Sequence, residues 1–502
     1  MRTLDLAVLL VYVVGVTAFG AWFYRRARTP EGFTSADGRM PSWAVGLSIF
    51  GTYLSSISFL ALPGQSYASN WNAFVFSLSL PFAAWAATRW FAPLYRASGD
   101  ISAYAYLERR FGVWARLYAM TFYLLTQIAR MGTIMFLVAL ALQRLTGWGL
   151  VPVIIASGTL VTFYTLLGGI EAVIWTDVVQ SLVLTVGALV CAGLLLFDIP
   201  GGPSQLFAHA NGAAKFSLGS YSPDFTHSTV WVVLLYGIVI NLQNFGIDQS
   251  YIQRYQTARS PEAARRSIWI GALMYIPVSA LFLFIGTALY AYYGSQPDLL
   301  PAALHAPSMS DRIFPYFMTT ALPPGMTGLM IAALSAAAMS SIDTSINSSA
   351  TVLLSDIYRR FVAPDADRAR QMRFLHWATL ALGLLGTGTA LSMISIQHAL
   401  DAWWRISGIF SGGMLGLFLL GAFSRRTRAA QAGAGMLVGL LAIVWATFSR
   451  GIDAPWANGL DTLMTTVVGT GAIFFVGLLL SRRKERRPRA TPPETAYDLA
   501  RE

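Results

Sequence analysis

The stretch Ile49–Gly64, "IFGTYLSSISFLALPG", sets a physical problem whose solution decides the fold. It is apolar enough to lie in a bilayer, yet it holds Gly51, Thr52, Ser55, Ser56 and Ser58 and closes on Pro63 and Gly64. Polar side chains and helix breakers at membrane depth are tolerated only where the backbone is packed in protein or lines a watery cavity. A lipid-facing span is therefore excluded, and a helix interrupted at a binding site is predicted. The stretch Tyr236–Arg254, "YGIVINLQNFGIDQSYIQR", repeats the problem with Gly237, Asn241, Gln243, Asn244, Gly246 and Asp248. Interrupted spans at the second and seventh positions in chain order point to an inverted-repeat transporter with a midplane site.

The surrounding composition agrees. Charged residues make up 12% of 502 and hydrophobic ones 55%, a balance that excludes an ordinary soluble domain. About thirteen apolar runs are each long enough, as helices, to cross a hydrocarbon core of about 30 Å. The expected class is an all-α polytopic membrane protein. Cys191 is the single cysteine, so no disulfide framework or cysteine metal site exists.

Basic residues alternate from loop to loop. Arg25, Arg26, Arg28 and Arg39 follow the first run; later clusters are Arg96, Arg109, Arg110 and Arg116, then Arg254, Arg259, Arg265 and Arg266, then Arg359, Arg360, Arg368, Arg370 and Arg373, then Arg425, Arg426 and Arg428, and the tail "RRKERRPR". The opposite loops hold little beyond Arg144, Lys215, Arg312 and Arg450. The positive-inside rule then puts the N-terminus outside and the C-terminus in the cytoplasm of a plasma membrane, a bacterial inner membrane. The same placement accounts for the net charge of +11 without nucleic acid.

Three further stretches carry chemistry. In Ser340–Arg360, "SSIDTSINSSATVLLSDIYRR", Ser340, Asp343 and Thr344 share one helix face, and their hard oxygens suit a small cation such as Na⁺. In Gly168–Gln180, "GGIEAVIWTDVVQ", Asp177 lies six residues inside Glu171, or about 9 Å deeper along a helix. An intramembrane carboxylate is a functional candidate by default, as cation ligand or proton carrier. In Gln127–Phe136, "QIARMGTIMF", Arg130 is alone in a long apolar run. It either pairs with Asp177 or Asp343 within the fold, or presents its planar fork to a substrate carboxylate.

These motifs, with "GIDQSYIQR" at Gly246–Arg254, resemble the solute:sodium symporter family over essentially the whole chain. The resemblance implies a LeuT-type 5+5 core: an extra N-terminal helix in 1–30, repeats over 42–197 and 228–423, two C-terminal helices in 429–481, and a basic tail over 482–502. It implies a shared sodium site at Gly51, Leu54, Ala337, Ser340 and Ser341, and a second cation site at Asp177, Ser340, Asp343 and Thr344. The second would take Na⁺ or a proton, because Asp343 stands where a serine is expected. It implies a substrate pocket of Tyr53, Ser55, Ser58, Arg130, Asn241 and Asn244. "YLSSIS", Tyr53–Ser58, departs from the sugar-transporter pattern and is similar to that of sialic acid transporters. The expectation is a sodium-coupled symporter, working as a monomer in the lipid bilayer on a small carboxylated solute such as sialic acid, with a neutral sugar or polyol as the alternative. No HExxH or nucleophile-elbow motif suggests an enzyme.

Overall fold

The computed structural model describes residues 2–395, 412–450, 452 and 454–482. The expected tail 482–502, and the first part of the run 402–423, lie almost wholly outside the described residues.

Among the described residues the chain is all helical. Nine helices are long and apolar enough to cross a membrane, or ten if one strongly bent pair counts as a single span. The difference from about thirteen runs has a local cause at two places. Leu150–Asp198 (α5, with α1–α4 given below) is continuous over 49 residues but turns at Gly169, where φ is +55° and ψ −154°. A straight helix of that length would reach about 74 Å, more than twice the hydrocarbon core. The positive φ is one that only glycine adopts cheaply, and a Cβ there would lie 2.8 Å from the Phe33 backbone. The run at 71–94 is divided into Phe74–Leu78, Leu80–Ala86 and Ala92–Ser98, with a π-helical turn at Ala87–Phe91.

The other principal helices are α1 (Thr3–Trp22), α2 (Ser42–Tyr53), α3 (Ser56–Ala68), α4 (Val113–Thr146), α6 (Val230–Ile247), α7 (Gln249–Thr257), α8 (Pro261–Ser295), α9 (Met326–Val352), α10 (Arg368–Ser392), α11 (Met414–Phe423), α12 (Ala429–Phe448) and α13 (Met464–Arg482). Every residue of α9 from Met330 to Val352 is buried. Its small side chains let α1, α2, α4, α5, α7 and α10 pack around it. Asp5 of α1 is buried at the N-terminus of α9, accepting from the amides of Gly325 (2.7 Å) and Gly328 (3.0 Å). It satisfies two of the amides a helix start leaves without partners and complements the helix dipole.

The basic loops gather at one end. Arg26 pairs with Glu171 at 2.7 Å, the Met40 amide donates to Thr257, Arg96 donates to the Tyr255 carbonyl at 2.6 Å, and Arg116 pairs with Asp356 at 2.6 Å. At the other end Lys215 donates to the Tyr67 carbonyl and the Asp461 amide to Phe225. Arg254 departs furthest from the loop reading: it is fully buried within α7.

Candidate cation and substrate site

Both interrupted spans are broken where glycine and polar residues cluster. α2 ends as Leu54 leaves helical geometry (φ −86°, ψ 98°), and Ser55 turns extended and caps α3 by accepting from the Ser58 amide. The two segments meet at 57°. α6 ends in the same way at Asp248 (φ −77°, ψ 124°), whose carboxylate accepts from the Ser250 amide to start α7. Each break strips the last-turn carbonyls of their helical partners at membrane depth, so they must find others.

One such partner is Arg130. Its Nη2 donates to the Thr52 carbonyl at 3.1 Å. Neither Asp177 nor Asp343 is its counter-ion; the carboxylate whose charge it feels is Asp248, at the other break. The expectation of an Asp177 or Asp343 pair is thus corrected. Asp177 is already taken, and the end of α2 lies between.

A small pocket opens beside the α2 break, where Gly51, Leu54, Gln180, Ser181, Ala337 and Ser340 meet the apolar side chains of Phe50, Leu184 and Ala336. Gly51, Leu54, Ala337 and Ser340 of the expected sodium site therefore come together. Ser341, also expected there, is buried one position along α9, its hydroxyl on the Ala337 carbonyl at 3.2 Å. A Cβ at Gly51 would lie 2.7 Å from Ser181 Oγ and 3.3 Å from Ser340 Oγ, so only glycine leaves this wall open. Gln180 is buried with both amide atoms unpartnered. The lining is mainly apolar, but Gln180, Ser181 and Ser340 bring oxygens to it, the donor type a small hard cation takes.

The second grouping is arranged differently. Asp177 Oδ1 accepts from Ser340 Oγ at 2.5 Å; Oδ2 accepts from Ser48 Oγ at 2.5 Å and Arg254 Nη2 at 2.8 Å. Arg254 also donates from Nη2 to Thr344 Oγ1 at 2.6 Å, from Nε to Ser48 Oγ at 2.7 Å and from Nη1 to the Ser250 carbonyl at 2.7 Å. All five side chains are buried. Asp343 stands apart, accepting from the Tyr164 hydroxyl at 2.6 Å through Oδ2, while Oδ1 is without a partner. Asp177 and Thr344 thus hold a guanidinium, Ser340 is on the other oxygen of Asp177, and Asp343 faces Tyr164 of α5.

Beyond the break, Tyr53 donates to Asn241 Oδ1, and Asn241 Nδ2 donates to Ser79 Oγ (2.8 Å) and the Phe76 carbonyl (3.1 Å). The Tyr53 ring sits among Phe76, Phe245, Tyr251 and Tyr275, centroids 4.5 to 6.4 Å away. Asn244 reaches the Tyr53 hydroxyl and Ser58 that of Tyr275. Tyr53, Ser58, Asn241 and Asn244 therefore form one cluster. Ser55 is engaged as a cap, and Arg130 joins through Thr52.

Sequence reasoning missed Gln180, Ser181, Ser48, Arg254, Tyr251 and Tyr275. Gln180 and Ser181 follow Asp177 at i+3 and i+4, on its own helix face, a legible signal. Arg254 gave none, since in sequence it is one more arginine of a basic cluster.

The family model for the sodium:solute symporter family matches residues 33–439. The sodium/sialic acid symporter NanT of Aliivibrio fischeri is 34% identical over 474 residues, covering 93% of this chain and 92% of that one. The sodium/sialic acid symporter SiaT of Proteus mirabilis is 33% identical over 93% of this chain and 94% of the other. Among solved structures, a Na⁺-coupled sialic acid symporter in a substrate-bound outward-open state aligns with a TM-score of 0.87, at 30% identity over 96% of this chain and 98% of that one. The residues at the broken helices, the pocket they enclose and these likenesses lead to one conclusion: the chain belongs to the sodium:solute symporter family.

Proposed function

We propose that the protein imports a small carboxylated solute, sialic acid, driven by Na⁺ through alternating access. The observation that carries this reading is the convergence of Gly51, Leu54, Ala337 and Ser340 on one small pocket at the break of α2, two residues before Tyr53. Na⁺ bound there, with Ser341 completing the set, bridges the broken end of α2 to α9 and α5. It thereby holds the Tyr53–Asn241 cluster and the Arg130–Thr52 contact in register for substrate. Arg130 meets the substrate carboxylate with its remaining donors, a bidentate geometry that lysine cannot reproduce. Release of Na⁺ on the low-sodium side frees the end of α2 and weakens substrate binding. Coupling follows because the ion binds the two states with unequal affinity.

The arrangement belongs to a bacterial inner membrane, with the N-terminus outside, the C-terminus cytoplasmic and the monomer as working unit. The basic end of the bundle supports the orientation. Repeats over 42–197 and 228–423, flanked by an N-terminal helix and two C-terminal ones, would make thirteen spans in a LeuT-type core; α5 counted as two spans about Gly169 supports that reading.

The test is uptake of sialic acid into proteoliposomes under an inward Na⁺ gradient, in competition with its methyl ester, for wild type and Arg130→Lys. The expected result is that the ester competes poorly with wild type and that the lysine variant loses most of this discrimination. Equal competition by ester and acid in wild type would favour the neutral sugar or polyol reading and make Arg130 a structural cap.

A further inference from the structure

We infer that Arg254 is a tethered cation that takes the place of a transported ion at Asp177, so that the protein carries Na⁺ at the Gly51–Ser340 pocket alone. The inference rests on the proposed sodium coupling and concerns the number of ions.

Of the four residues expected to form a second cation site, Asp177, Ser340 and Thr344 do not present free oxygens. Both carboxylate oxygens of Asp177 are engaged, by three donors in all, and the Thr344 hydroxyl accepts from Arg254. The positive charge that Na⁺ would bring is supplied by the chain, at 2.8 Å. An ion entering would have to displace a guanidinium with no water around it, since Arg254 and Asp177 both have side-chain exposures of 0%. It would then strand that guanidinium without its counter-ion, which is the expensive way to open a buried pair. Asp343, the fourth expected ligand, is turned to Tyr164. The residues present therefore do not fit a second ion at Asp177. They fit a lock between α7, which follows the break of α6, and the α2, α5 and α9 helices that line the sodium pocket.

The reading makes Ser340 the hinge between the two positions. Its hydroxyl lines the sodium pocket while bonded to Asp177. Arg254 thus positions one wall of the pocket through Asp177 without touching the transported ion.

The experiment uses the purified full chain, counting bound ²²Na⁺ per protein at saturation and following the Na⁺-induced thermal shift at constant ionic strength with choline as the balancing cation. Wild type should bind one Na⁺. Arg254→Met, which removes the guanidinium while keeping Asp177, should bind two, with a larger Na⁺-induced shift. The charge-balanced double variant Asp177→Asn with Arg254→Met should return to one. Two ions in wild type falling to one in Asp177→Asn would overturn the inference, as would one ion in a folded Arg254→Met. If Arg254→Met fails to fold, the wild-type count and the double variant still decide. No bound Na⁺ in wild type would instead remove the sodium-coupled reading itself.

Discussion

Replacing Gly51 by alanine adds one methyl group to the wall of the proposed sodium pocket. The new Cβ would stand 2.7 Å from Ser181 Oγ, closer than side chains tolerate, and 3.3 Å from Ser340 Oγ. Ser181 can swing away, but only by giving up its 3.2 Å bond to the Leu47 carbonyl, a loss of about 0.5–1.5 kcal/mol. Ser340 cannot follow freely, because its hydroxyl is held by Asp177 at 2.5 Å. Overpacking of this kind costs about 1–3 kcal/mol in total. Much of the strain falls on residues that line the pocket, and each 1.4 kcal/mol lost from ion binding is about tenfold in affinity. The expected outcome is a half-saturating Na⁺ concentration raised by about tenfold or more, with a modest fall in the melting temperature measured without Na⁺. Sodium titrations of uptake and of thermal stability read the two effects separately. Gly15→Ala in α1 is the control, since a Cβ there meets nothing within 4 Å and should change neither. Wild-type sodium dependence in Gly51→Ala would refute the placement of the ion against Gly51.

Removing the Ser341 hydroxyl by Ser341→Ala should abolish Na⁺-driven uptake while leaving the melting temperature without Na⁺ close to wild type; full sodium-driven transport would strike this residue from the site. Arg116→Met leaves Asp356 buried without its 2.6 Å partner and should lower stability by about 3–5 kcal/mol in denaturant or thermal unfolding, while adding Asp356→Asn should restore a large part of the loss. Asp5→Ala removes the acceptor for two amides at the start of α9 and should cost about 1–2 kcal/mol in the same assay. Glu108, at the basic end, is held below the usual carboxylate range: burial acts against the charged form, but bonds from Arg116 and Arg360 outweigh it. Its pairing therefore contributes fully above the unfolded value of about 4.3 and is lost as pH falls through the lowered folded value. The melting temperature should decline on acidification through that window, and Glu108→Gln should flatten part of the decline.

Much of this was legible in one dimension. The cluster of glycine, serine and proline at 51–64 marked the break of α2, and the polar residues at 241–248 marked that of α6, because a bilayer admits such residues only where backbone is shielded from lipid. Four of the five residues expected at the shared sodium site meet in one pocket, since short-range geometry at a helix break and the i, i+3, i+4 spacing on α9 survive folding unchanged. The basic loops met at one end for the same kind of reason: their charges alternate from loop to loop along the chain.

What the chain order could not express was which buried charge meets which. Arg254 looks like one more arginine of a basic loop, and its 77-residue separation from Asp177 carries no periodic signal. Only the packing of α7 against α2 and α9 turns it inward, where exclusion of water makes a partner obligatory and Asp177 of α5 is the carboxylate within reach. The same packing leaves Arg130 to the Thr52 carbonyl and turns Asp343 to Tyr164. Local chemistry along the sequence determined where helices break and which oxygens are available. The tertiary structure decided how the charges are paired, because that depends on distances between helices far apart in the chain.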